Sequence, residues 1–255
     1  MSKIIAVTNQ KGGVGKTTTS VNLAACLAAA KRKVLLIDLD PQGNAAMGCG
    51  VNKSNVLYSS CDLLIEDVPI TEMIVSVPEI GFDVIAGNAD LTVAEVQLMK
   101  MTQRERRLAN ALQQVHGQYD YILIDCPPSL NMLTLNAMVA ADSVLVPMQC
   151  EYYALEGLSA LMETLRNIQE TANATLYLEG ILRTMFDTRS RLTKDVSEQL
   201  VEYFSEKVFR TCIPRNVRLA EAPSHGMPVL QYDKGSRGAV AYIALAGELI
   251  RKEKK

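Results

Sequence analysis

The sequence contains no CxxC pair, and its six cysteines (Cys26, Cys49, Cys61, Cys126, Cys150, Cys212) form no cluster with its two histidines. That scatter argues against a zinc site and against a disulfide framework. A chain of 255 residues can bury a core without either. No stretch approaches the roughly 18 apolar residues of a membrane-spanning helix. Internal repeats, low-complexity tracts and Pro/Gly/Ser linkers are also missing, and no signal peptide precedes the first strand-like run. The expectation is one cytoplasmic domain over residues 1–255.

Charge is nearly balanced overall, at −2, but unevenly spread. Residues 1–182 carry 12 basic and 19 acidic side chains, whereas residues 183–218 carry 8 and 5. A mildly acidic protein with a basic C-terminal third can still meet a polyanion on one face. A merely solvated surface would look the same.

Short apolar runs alternate with helix-periodic segments. Residues 4–8, 34–37, 82–85, 121–124, 143–147, 176–182 and 208–213 read as strands, several apolar throughout, as parallel strands covered on both faces are. Residues 18–30, 155–171, 192–204 and 239–251 read as helices. The alternation predicts an α/β fold with a doubly wound, mostly parallel sheet. Between Val51 and Arg107 the periodicity is weak and suggests several short helices around one strand.

The first strand runs into Lys11-Gly12-Gly13-Val14-Gly15-Lys16-Thr17-Thr18 and then a helix. This fits GxxxxGK[ST] with Gln10 in place of the first glycine, a deviant Walker A form. Glycines let backbone N–H groups converge on phosphate oxygens, and the helix N-terminus adds partial positive charge. Lys16 then reaches the β- and γ-phosphates and the Thr17 hydroxyl ligates Mg²⁺. Lys11 is a second lysine at the loop's start. It is either a solvated loop charge or a group able to reach a phosphate in another subunit.

Two further strands end in acids. Leu35-Leu36-Ile37-Asp38-Leu39-Asp40 is followed by Pro41, Gln42 and Gly43, which turn the chain out of the strand. Tyr121-Ile122-Leu123-Ile124-Asp125 has the form of a Walker B strand, with Asp125 placed to hold Mg²⁺ or a metal-bound water. Carboxylates at the C-terminal ends of parallel strands sit where such sheets bind ligands, and beside a polyphosphate they imply Mg²⁺ or an attacking water. Cys126 reads as a small packing residue.

Together with the blocks Gln149–Gly157 and Ile213–Gly226, these motifs resemble the ParA/MinD group of deviant Walker ATPases, and within it chromosomal ParA proteins of the Soj type, from about residue 3 to about residue 250. The resemblance implies a P-loop ATPase fold, ATP and Mg²⁺ as ligands, and a homodimer that forms face to face around ATP. It further implies binding of double-stranded DNA without sequence preference, slow hydrolysis stimulated by a ParB-like partner, and a nucleoid-associated location in the cytoplasm. Lys11, Lys16 and Asp40 take the catalytic roles, Lys11 by crossing to the partner's ATP and Asp40 by positioning water. ATP contacts fall to Lys11, Gly12, Gly13, Val14, Gly15, Lys16, Thr17, Thr18, Glu151, Met185, Pro214, Arg215 and Asn216, with Thr184 near the adenine side. Thr17, Asp38 and Asp125 are the metal set. Arg189, Arg191, Lys194 and Arg218 are the DNA candidates.

Departures and rivals complete the picture. Arg183 stands where the subfamily more often has an apolar residue, and it extends the basic patch, touches the nucleotide, or does neither. The helix-turn-helix region of larger plasmid ParA proteins finds no room before the phosphate loop, so operator-specific repression is not expected. A MinD-like, membrane-associated ATPase is the main alternative. It needs a C-terminal amphipathic helix with bulky apolar residues, whereas Ala and Gly dominate the apolar side of residues 239–255, which favours packing onto the domain and no stable membrane association. Amidotransferase-type synthetases and nitrogenase-iron-protein relatives share the loop. The former usually carry a glutaminase domain, for which 255 residues leave no room, and the latter need paired cluster cysteines, whereas Cys126 has no evident companion.

Overall fold

The computed structural model describes residues 2–253. Its strands are β1 (Lys3–Val7), β2 (Val34–Asp38), β3 (Val75–Val77), β4 (Phe82–Ile85), β5 (Tyr121–Asp125), β6 (Ser143–Gln149), β7 (Tyr177–Phe186) and β8 (Val208–Pro214). They form one sheet in the order β3-β4-β2-β5-β1-β6-β7-β8. Only β3 runs antiparallel to its neighbour. The helices are α1 (Lys16–Ala29), α2 (Asn44–Gly48), α3 (Ser60–Ile65), α4 (Leu91–Leu98), α5 (Arg107–Leu112), α6 (Met132–Ala140), α7 (Ala154–Thr171), α8 (Arg191–Phe204), α9 (Val217–Glu221), α10 (Val229–Tyr232) and α11 (Arg237–Lys252). The whole is a single α/β domain with helices on both faces of the sheet.

The period-2 alternation of a strand sorts the apolar residues into two cores. Leu35 and Ile37 of β2, Ile122 and Ile124 of β5, and Val144 and Val146 of β6 pack with α6 and α7 on one face. Ile5, Val7, Leu36, Leu123 and Leu145 face the other way, against α1 and α11. Both faces are covered, which is why these strands are apolar without alternation in the sequence. On α11 the buried stripe is Gly238, Ala239, Tyr242, Leu245, Ala246 and Leu249. Tyr242 Oη lies 3.1 Å from Thr19 Oγ1 of α1. Small residues thus let α11 lie close on the domain. Among the described residues no helix is long and apolar enough to cross a membrane.

Both sheet edges are blunted. At one end β3 is only three residues long. At the other, the Glu248 carboxylate of α11 accepts from the backbone N–H groups of Arg210 (2.8 Å) and Thr211 (3.0 Å) on β8.

Several sequence expectations need correction. The stretch 51–107 holds two strands, not one, because β3 pairs with β4 as a short edge hairpin. Strand β7 continues four residues past Leu182. Helix α6 is buried nearly all round, its Thr134 and Asn136 included, so it has no stripe to read. Its start is set by Asn131, whose side chain accepts from Leu133 N and Thr134 N at 3.2 and 3.1 Å. Arg183 neither extends a basic patch nor stands free on the surface. Its guanidinium donates to Ser197 Oγ at 2.7 Å and to the Phe209 carbonyl at 2.8 Å, and it lies 5.7 Å from the Phe186 ring centroid. It ties β7 to β8 and α8.

Candidate active site

The ends of β2, β5 and β1 are adjacent in the sheet, so the two acid-bearing turns and the loop after β1 meet at one edge. In that loop Gly13 and Gly15 adopt φ of 73° and 88°, a left-handed backbone that glycine reaches without strain. At Gly12 and Gly13 an added Cβ would meet nothing within 4 Å, so the loop's outer side is open. Val14 between them is buried. Asn9 braces the start of the loop. Its Nδ2 donates to the Pro147 carbonyl of β6 (2.9 Å) while its Oδ1 accepts from Lys11 N (3.0 Å).

Helix α1 then delivers its first residues to the acids. Thr17 Oγ1 donates to Asp125 Oδ2 at 2.8 Å, and Ser20 Oγ, one turn on, donates to Asp125 Oδ1 at 2.8 Å. Lys16 is buried, and its Nζ donates to the Lys11 carbonyl at 3.2 Å. Burial pulls the Lys16 ammonium below the usual lysine range, opposed by the Asp125 and Asp40 charges. Thr18 is half-buried behind them, its carbonyl accepting from Asn22 Nδ2 at 2.7 Å.

Asp38 is fully buried and accepts from Asp40 N (3.1 Å) and Ala46 N (3.0 Å). Asp40 accepts from Gln42 N at 2.9 Å. Burial, with mutual repulsion among Asp38, Asp125 and Asp40, raises the carboxyl pKa values of Asp38 and Asp125. Buried acids held against one another in this way call for a cation. Hard oxygen ligands next to a phosphate loop suit Mg²⁺, which is ordinarily held by one or two carboxylates, phosphates and waters. The residues therefore fit Mg²⁺ with a nucleoside triphosphate. Behind the acids lies Gly87, where a Cβ would sit 2.7 Å from the Asp38 carbonyl and 3.0 Å from the Asp40 carbonyl.

Lys11 sits on the rim, its side chain 44% exposed, with its Nζ paired to the Glu151 carboxylate after β6. Further along the edge, Pro214 is in register with Phe186, which brings Met185 and the segment Pro214-Arg215-Asn216 together. Met185 has φ of 47°. Asn216 caps α9, accepting from Arg218 N at 3.1 Å. A cleft of about 840 Å³ here is lined by Asp187, Arg189, Pro214, Arg215 and Arg237 among others. The adenine-side candidates Pro214 and Arg215 and the DNA candidate Arg189 thus border one depression.

The DNA candidates all lie on the surface. Arg189 is 89% exposed and paired with Asp187 at 2.9 Å, and Arg191 is 95% exposed with Asp195 at 3.9 Å. Arg218 pairs with Glu221 at 2.8 Å and Asp233 at 3.3 Å. Lys194 is exposed. Sequence reasoning missed Asn9, Ser20 and Gly87. Ser20 follows Thr17 at helical spacing and could have been placed on its face. Gly87 carries no local signal, because the chain that crowds it is more than 45 residues away in sequence.

A family profile described as an AAA domain matches residues 2–178. The chain is 53% identical to the sporulation initiation inhibitor protein Soj of Bacillus subtilis, over 98% of each chain. It is 49% identical to the chromosome partitioning protein ParA of Myxococcus xanthus, covering 99% of this chain and 89% of that one. Among solved structures, a cobyrinic acid a,c-diamide synthase of Mycobacterium smegmatis with bound ATP analogue and magnesium superimposes with a TM-score of 0.87. It is 35% identical and covers 100% of this chain and 97% of that one. The partitioning relatives are thus closer in sequence than the synthase. Phosphate loop, acid pair and relatives agree, and the chain belongs to the Soj/ParA family of chromosome-partitioning ATPases.

Proposed function

We propose that this chain hydrolyses Mg²⁺-ATP slowly, pairs with a second copy while ATP is bound, and in that state holds double-stranded DNA without sequence preference. A ParB-like partner accelerates hydrolysis and releases it, and repetition of this cycle separates replicated DNA. The observation that carries the reading is the meeting of Lys16, Thr17, Asp38, Asp40 and Asp125 at one sheet edge, with Lys11 exposed beside them.

Lys16 leaves the Lys11 carbonyl to face the β- and γ-phosphates, with the backbone N–H groups of Gly12–Thr18 around them. Thr17, Asp38 and Asp125 hold the metal, which when bound neutralises phosphate charge. Asp40 orients the attacking water. Lys11 exchanges Glu151 for the nucleotide of the second copy, so loss of the γ-phosphate loosens the pair. Met185, Pro214, Arg215 and Asn216 border the base, and Arg189, Arg191, Lys194 and Arg218 meet DNA phosphates. The close packing of α11 on the domain supports nucleoid rather than membrane association in the cytoplasm.

The test is a gel-shift series on unrelated duplexes with ATP, with ADP and without nucleotide, alongside size-exclusion chromatography. Binding to all duplexes alike, with ATP only and together with dimer formation, is the expected result. Equal binding in all three nucleotide conditions overturns the proposal.

A further inference from the structure

Strand β7 reaches the phosphate loop through one side chain. Thr184, buried near the strand's end, donates from Oγ1 to the carbonyl of Val14 at 2.8 Å. The same side chain faces Gly15, where an added Cβ would lie 3.9 Å from both Thr184 Cβ and Cγ2. Val14 sits between the two left-handed glycines of the loop, Gly13 and Gly15. Those glycines give the segment more conformational freedom than any other pair of residues could. The Val14 carbonyl, anchored between them, therefore bears directly on how the loop is presented.

The peptide joining Val14 to Gly15 is trans. In a trans peptide the C=O and N–H point in opposite directions. Pulling the Val14 carbonyl toward β7 turns the Gly15 N–H away from β7, to the side where the loop is open. We infer that Thr184 is a positioning residue for nucleotide binding: its hydroxyl fixes the Val14–Gly15 peptide so that the Gly15 N–H is already aimed at a phosphate oxygen before the nucleotide arrives. This assigns Thr184 to the phosphate side of the site, not to the adenine, and it rests on the phosphate-loop reading above. Together with Asn9, which pins the loop's start to β6, Thr184 makes β6 and β7, the next two strands on one side of β1, the loop's scaffold.

Thr184→Val keeps the shape and removes the donor, and Thr184→Ser keeps the donor. Affinities for ADP and for ATP are measured with Mg²⁺ by displacement of a fluorescent ADP analogue, with kcat and KM determined in parallel. Losing one neutral hydrogen bond that orders a binding loop weakens T184V by about three- to tenfold for both nucleotides. Because that loss is shared by ground state and transition state, it appears in KM, with kcat held within about twofold. T184S binds as wild type does. The proposal is overturned if T184V binds normally, or if T184S is as weak as T184V, which would show that the hydroxyl alone does not sustain binding. Should T184V fail to fold, Thr184→Ala provides the same comparison, with the same loss expected. A folded wild-type protein that binds neither nucleotide would sink the phosphate-loop reading itself, whereas normal wild-type binding with unaffected variants sinks only the role of Thr184.

Discussion

Lys11 and Lys16 are five residues apart and carry the same charge in opposite surroundings. Lys16 is buried over the acids, whereas Lys11 is on the rim against Glu151. A buried ammonium, stripped of much of its water, gains most when a polyanion arrives to pair with its charge. Lys16→Ala accordingly weakens ATP binding by at least about tenfold, the worth of one hydrogen bond to a charged group, as titration calorimetry would read it. Unchanged affinity would remove Lys16 from the site. Asp40 tells a different story. Its carboxylate accepts only from the backbone of its own turn at Gln42 and is free of the Thr17–Asp125 pair. Asp40→Ala therefore keeps ATP binding and loses hydrolysis, so that a dimer accumulates with ATP on size-exclusion chromatography. A variant that hydrolyses ATP at the wild-type rate, or stays monomeric with ATP, contradicts this assignment.

Elements show where the sequence is readable and where it is not. The strands β1, β2 and β5 and the groups they carry are legible because each couples an apolar run to a chemically distinctive end: Lys16-Thr17, Asp38 and Asp125. Amphipathic α7 and α8 are legible for a related reason, since their stripes face a single sheet. What escapes is set by contacts across the chain. The edge strand β3 exists only through pairing with β4, α6 is buried on nearly all sides, and Arg183 is explained by carbonyls on a strand that begins 25 residues later. Gly87 belongs to this group, since its lack of a side chain is what allows the turn after β2 to lie against the end of β4. Gly87→Ala drives a methyl into the backbone of Asp38 and Asp40. The cost is about 1–3 kcal/mol of overpacking, which for a domain of this length lowers the melting temperature by several degrees. Because the crowded atoms belong to the acid turn, ATP hydrolysis falls as well. Calorimetry and a steady-state ATPase assay on the same sample check both, and an unchanged melting temperature would show that the turn yields without cost.

At the scale of the whole molecule, the basic residues of the C-terminal third are spread over α8, α9 and the cleft before α11, all outside the phosphate loop. Arg189 and Arg218 have acidic neighbours, but exposed pairs of this kind add little to stability and are readily exchanged for other anions. Arg189→Ala combined with Arg218→Ala is expected to leave ATP binding and dimerisation intact while weakening binding to every duplex alike. Each lost phosphate contact lowers the log–log salt slope by about 0.9, and two subunits losing two apiece remove about four. Gel shifts over a range of salt read the slope directly. An unchanged slope would move the surface to Lys234 and Arg237. The blunted edges of the sheet bear on assembly at this scale too. A three-residue terminal strand and a carboxylate on two of the β8 amides leave a neighbouring molecule a poor template for strand addition, the route by which sheet proteins grow into fibres. Copies brought close together would then meet mainly through side-chain surfaces. Such contacts can form and part without the strand pairing that makes aggregates permanent.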